Sequence, residues 1–161
     1  MSFLYHLFPP TIHPMVVHFT IAIPYIALLI GILGLIMRDR ELYAKGYLFM
    51  LFLGILATIA AGAAGVISEY YVHVPRHVRG MLEDHKNYGE ITGVLIVIAF
   101  VVQWFVLRRK QRVSIISLVF CILATITVSL AGFVGGSMVY DHGLGVQGSG
   151  TTVQTQNTIT K

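Results

Sequence analysis

The sequence predicts an all-α fold: a polytopic membrane bundle of four helices, built as two helical hairpins. Three observations lead there. Apolar residues fill 56% of 161 positions and charged residues 11%, with a mean hydropathy of +0.79, a balance too apolar for an ordinary soluble domain. The apolar residues fall in four runs, Met15 to Met37, Leu48 to Ile67, Ile91 to Leu107 and Val113 to Tyr140. Each can cross a hydrocarbon layer about 30 Å thick as a helix of about 20 residues, which satisfies its backbone hydrogen bonds within one segment. Finally, the basic residues are gathered in the connections between those runs.

The first helix, about 15–37, is expected to be retained. No basic stretch precedes it, it exceeds a signal core in length, and Arg38-Asp39-Arg40 follows where cleavage needs small residues. The second spans about 46–68. The third, about 84–107, has an apolar run that begins only at Ile91, but an internal match described below puts its start near Glu83. The fourth, about 113–141, holds the single cysteine, Cys121, so no disulfide framework exists and packing is its expected role. Residues 1–142 form the membrane domain. The Gly-, Thr- and Gln-rich segment 143–161 reads as a flexible or partner-ordered arm, with Gly143-x-Gly145 as turn chemistry.

A net charge of +4 could suggest nucleic acid, but its distribution says otherwise. Arg38, Arg40, Lys45, Arg108, Arg109, Lys110 and Arg112 fall on one side, and Arg76, Arg79, Lys86 and Lys161 on the other. The positive-inside rule places the seven-charge side in the cytoplasm and both termini outside, as in a bacterial inner membrane. Tyr43, Tyr47 and Trp104 fit interfacial anchors.

An internal repeat accompanies the pattern. At an offset of 67 residues, Ile55-Leu56-Ala57-Thr58-Ile59 falls on Ile122-Leu123-Ala124-Thr125-Ile126, Ala64-Gly65 on Ala131-Gly132, and His18 on His85. Two parallel hairpins related by a pseudo-two-fold axis along the membrane normal follow from it. His18 and His85 then become equivalent positions near that axis.

His6, His13, His18, His73, His77, His85 and His142 all map to the outer side. Imidazole in a span is costly unless it faces the interior and finds a partner, either a helix-tying hydrogen bond or a ligand. Gly62 and Gly65 in the second helix, and Gly132, Gly135 and Gly136 in the fourth, recur at spacings of three and four. Such faces pack helices closely, and they also leave room for a flat macrocycle. A b-type haem needs axial imidazoles from different helices and cations near water for its propionates, and Arg76 and Arg79 are placed for the latter. A competing zinc or copper site would use His73 and His77 with Glu69, Glu83, Asp84, His85 or Asp141. Pro75 disfavours a regular helix through that pair.

The motifs His13-Pro14-x-x-Val17-His18-Phe19 and Gly135-Gly136-x-x-Val139-Tyr140-x-His142-Gly143-x-Gly145 resemble those of a widespread family of uncharacterised four-helix bacterial membrane proteins. Some members of that family are fused to Rieske or c-type cytochrome domains. The resemblance implies an electron-transfer setting and marks His13, His18, His85 and His142 as the family-type histidines.

The expectation is therefore a membrane-embedded electron-transfer subunit carrying one or two haem b groups at the outer face. Its axial pair is expected to be His18 with His85, and His13 with His142 at any second site. Its partners would be lipid, other subunits of a respiratory or photosynthetic complex, and quinone or a c-type cytochrome, with no nucleic acid. A zinc or copper protein and a cofactor-free structural subunit are the alternatives.

Overall fold

The computed structural model describes residues 12–72 and 74–145. They form four helices, α1 (Ile12–Ile36), α2 (Arg40–Tyr71), α3 (Arg79–Lys110) and α4 (Ile115–Tyr140), with a 3-10 turn at Arg76–Val78. All four are long and apolar enough to span a membrane, and the chain is a multi-pass membrane protein. Helices α2 and α3 run well past their apolar cores, at 32 residues each, or roughly 48 Å against a hydrocarbon layer of about 30 Å. The expected arm lies outside the described residues from position 146 on, as do His6 and His73.

Short connections follow from local chemistry. Asp39 caps α2 by accepting a hydrogen bond from the backbone N–H of Leu42 at 3.1 Å, which satisfies one of the orphan donors of the first turn. At the same end Gln111 takes the left-handed conformation, φ 47°, to close α3. Ser114 caps α4 through the N–H of Ser117. Gln103 ties this second turn down from inside: its amide donates to Arg112 O at 3.1 Å and accepts from Ser114 N at 2.9 Å. Across the bundle, Pro75 cannot continue a helix, and the chain enters the 3-10 turn there, with Val78 fully buried.

Helices α1 and α2 pack as one antiparallel hairpin, α3 and α4 as the other, and α2·α3 and α1·α4 close the square. That leaves α1 and α3 on one diagonal and α2 and α4 on the other. Ala27, Leu51, Ile96, Ala99, Cys121 and Ala124 fill the core. Tyr47 joins them, with no exposed surface and its hydroxyl 3.1 Å from Ser117 Oγ, which itself donates to Ala99 O. It is therefore a core residue and not an interfacial anchor. Gly31 makes the space, because a Cβ there would stand 2.6 Å from Leu118 and 3.2 Å from the Tyr47 ring. Trp104 carries the Arg108 guanidinium 4.6 Å above its ring.

The two hairpins repeat one another, but in a different register from the pentapeptide match. Thr20, Pro24, Ala27 and Gly31 line the buried stripe of α1, and Thr92, Ile96, Ala99 and Gln103 that of α3. Each member of the second set lies 72 positions beyond its counterpart. Along α2 and α4 the matching contacts lie 70 apart, with Ala61-Gly62-x-x-Gly65 over Ala131-Gly132-x-x-Gly135. An offset of 67 would superpose α1 on α3 five residues out of step, a rotation of roughly 140° about the helix axis. The pentapeptide match is three residues out of the α2 and α4 register, a shift that keeps residues on the same helix face.

Candidate functional site

Every described histidine, His13, His18, His77, His85 and His142, lies at the end of the bundle opposite the arginine-rich turns. Two of them meet. His13, in the first turn of α1, and His85, in the second turn of α3, face each other across the diagonal with ring centroids 5.8 Å apart and ring planes at 82°. Both are half-buried.

Each ring is held from behind by a neighbouring helix. His13 Nδ1 donates to Ala61 O on α2 at 3.0 Å, and His85 Nδ1 donates to Ala131 O on α4 at 2.9 Å. A carbonyl can only accept, so the proton is on Nδ1 and the neutral ring keeps its lone pair on Nε2. The acceptor carbonyls are reachable because a glycine follows four residues later on the same helix face. A Cβ at Gly65 would lie 3.4 Å from His13 Nδ1, and one at Gly135 would lie 3.1 Å from His85 Cε1 and 3.2 Å from its Nδ1. These two glycines therefore make room for the imidazoles.

The remaining glycines differ. A Cβ at Gly132 would touch Ile21 at 3.4 Å, whereas at Gly62 or Gly136 it would meet nothing within 4 Å. Gly62 is exposed. Two turns further along α1 and α3 the repeat recurs in hydroxyls: Thr20 Oγ1 donates to Ala57 O at 3.0 Å, and Thr92 Oγ1 lies 2.7 Å from Tyr88 O and 2.8 Å from Thr127 Oγ1. These bonds tie α1 to α2 and α3 to α4 below the rings, where lipid offers no alternative partner.

The pairs expected from the sequence, His18 with His85 and His13 with His142, are not the ones that meet: one member of each, His18 and His142, lies away from the facing rings. His18 is exposed, and its Nδ1 bonds Pro14 O of its own helix at 2.6 Å. Five residues separate it from His13, which turns it away from the axis. His142 does not meet His13 either. It follows α4, exposed, with its ring 5.8 Å from that of His77 and its Nδ1 3.3 Å from Ser137 O. Arg76 and Arg79 are exposed at this end. Lys86 pairs with Glu69 at 2.7 Å, both on the wall of a groove that Arg79, Leu82 and Glu83 also line. Among the described residues no three His, Cys, Asp or Glu side chains converge as a metal-ligand group.

Sequence reasoning passed over the carbonyls of Ala61 and Ala131 and the role of Thr20 and Thr92. A signal for them exists. His-x6-Thr occurs at 13–20 and again at 85–92, and Ala-Gly-x-x-Gly at 61–65 and again at 131–135. Read jointly, these pairs give the observed register.

No curated protein and no solved structure matches the chain. A family match covers residues 9–148, which include all four helices and both facing imidazoles. The chain therefore belongs to the family of predicted membrane proteins described as DUF2231.

Proposed function

We propose that this protein is a membrane-embedded b-type cytochrome that holds one haem b between His13 and His85 and serves as an electron-transfer subunit of a larger respiratory or photosynthetic assembly. One observation carries the reading: two imidazoles from diagonal helices face each other 5.8 Å apart, each with Nδ1 committed to a carbonyl. Both Nε2 atoms are thereby left for a ligand, and metal-bound histidines ordinarily have their second nitrogen engaged in this way. The donor set suits haem. Its macrocycle supplies four nitrogens and asks the protein for two, whereas zinc asks for three or four. No third ligand of that kind gathers among the described residues.

When bound, the haem supplies a one-electron centre. The chain's own residues do the rest. The Ala61 and Ala131 carbonyls orient the rings, and Gly65 and Gly135 thin the helices beside them. Arg76 and Arg79 offer cations at the watery edge, where propionates are met. The positive-inside rule puts this end outside the cytoplasm. Electrons would then be exchanged at that surface with quinol or a c-type cytochrome, since no described histidine occupies the opposite end.

The test is a visible spectrum of the purified full-length chain, produced with ample haem, in air-oxidised and dithionite-reduced forms. A Soret band with a sharpened reduced α band is expected. It should be lost in His13→Ala and in His85→Ala and kept in His18→Ala and His142→Ala. A colourless protein sinks the proposal, as does haem that survives both of the first two changes. Stoichiometric zinc or copper without a Soret band would instead support a metal-binding membrane protein.

A further inference from the structure

A second feature lies at the arginine-rich end, remote from the histidines. The seam between α2 and α3 opens there into a groove of about 320 Å³, walled by Leu48, Phe49 and Phe52 on one side and Phe100, Trp104 and Leu107 on the other. Its aromatic rings form a ladder, with Phe52 to Phe100 at 6.3 Å and Phe100 to Trp104 at 5.9 Å. Two cations stand at its mouth. Lys45 lines it directly, and Arg108 lies over the Trp104 ring at 4.6 Å.

The charges are unequal. Lys45 is engaged by Glu41 at 2.6 Å. Arg108 has no carboxylate partner among the described residues and stacks only on an aromatic face. A guanidinium in that position keeps its forked N–H donors free for an oxyanion. Below it the wall is wholly apolar over the two turns from Lys45 to Phe52, roughly 10 Å of helix rise. A zwitterionic headgroup would bring its own cation against Arg108, whereas an anionic one would not.

We infer that this groove is a binding site for an anionic phospholipid, with one acyl chain along the Phe49, Phe52 and Phe100 rings and the phosphate on Arg108, supported by Lys45. The site is independent of the cytochrome reading. Basic pockets between membrane helices bind such headgroups elsewhere, and this one lies on the side that the charge bias assigns to the anionic cytoplasmic leaflet.

Trp104 is the chain's single tryptophan and stands in the groove wall, so its fluorescence reports occupancy. The full-length chain is reconstituted in phosphatidylcholine vesicles holding a minor fraction of phosphatidylglycerol. Quenching is compared when bromine is carried on the acyl chains of one lipid or the other, at equal bromine content and relative to unbrominated vesicles of the same composition. The expected result is a preference of about fivefold for phosphatidylglycerol at Trp104, the worth of one basic side chain at an anionic surface. It should vanish in Arg108→Gln and persist in Arg109→Gln, whose side chain leaves the helix about 100° away. Equal quenching by the two lipids, a preference that survives Arg108→Gln, or an equal loss in both variants would each overturn the inference. The last result would mean diffuse surface charge in place of a site.

Discussion

Gly135 and Gly65 occupy equivalent places in the two hairpins, and the structure separates them by a few tenths of an ångström. In Gly65→Ala the new methyl group would lie 3.4 and 3.5 Å from Nδ1 and Cε1 of His13, ordinary van der Waals contact. The substitution then leaves the bundle unchanged or gains up to about 1 kcal/mol, the helix-propensity difference between glycine and alanine. In Gly135→Ala the methyl would lie 3.1 Å from Cε1 and 3.2 Å from Nδ1 of His85, close enough that the ring must give by a few tenths of an ångström. The ring cannot retreat freely, because its Nδ1 is held at 2.9 Å by Ala131 O. Overpacking of this kind costs about 1–3 kcal/mol, which outweighs the same propensity gain. The propensity gain is common to both and cancels, so the two variants should differ by about 1–3 kcal/mol, or roughly 2–12 °C in Tm for a chain of this size. Thermal unfolding in detergent micelles followed by circular dichroism measures it. The ¹⁵N shifts of the His85 ring would report the weakened carbonyl bond in Gly135→Ala alone. Melting points within 1 °C of each other, or Gly65→Ala as the less stable, would refute the packing argument and with it the view that these glycines exist to admit the imidazoles.

Two further outcomes follow from the ends of the bundle. Gln103→Leu strands the buried N–H of Ser114 and removes the partner of the part-buried Arg112 carbonyl, so a loss of about 1–3 kcal/mol is expected, measured by the same melts. Lys86→Met removes the ion pair to Glu69, in which both side chains are more than two-fifths exposed. That change should cost less than about 1 kcal/mol and leave the His13–His85 pair undisturbed by ¹⁵N spectra.

Much of the architecture was legible because lipid imposes one requirement on the whole chain. Four apolar runs became four helices, and the described histidines gathered at one end while Arg38, Arg40 and the Arg108–Arg112 cluster gathered at the other, as their places in the chain implied. Helix ends were less legible. Helices α2 and α3 extend beyond their apolar runs because backbone hydrogen bonding continues into polar segments such as Ser68 to Tyr71 and Arg79 to Glu90. Tyr47 was misread because a tyrosine near a span end suits either an interface or a core. Only the space left by Gly31 and the hydroxyl of Ser117 decide for the core.

The sequence by itself determined that this chain lives in a membrane, how many times it crosses, and at which end its imidazoles gather, since composition and linear order settle those matters. Tertiary structure alone decided which imidazoles meet. Rotation about a helix axis shifts by about 100° with each residue, so a register error of five residues exchanges His13 for His18 while hydropathy hardly changes. The packing of α1 against α2 and of α3 against α4, through the Ala61 and Ala131 carbonyls and the glycines beside them, fixes that rotation.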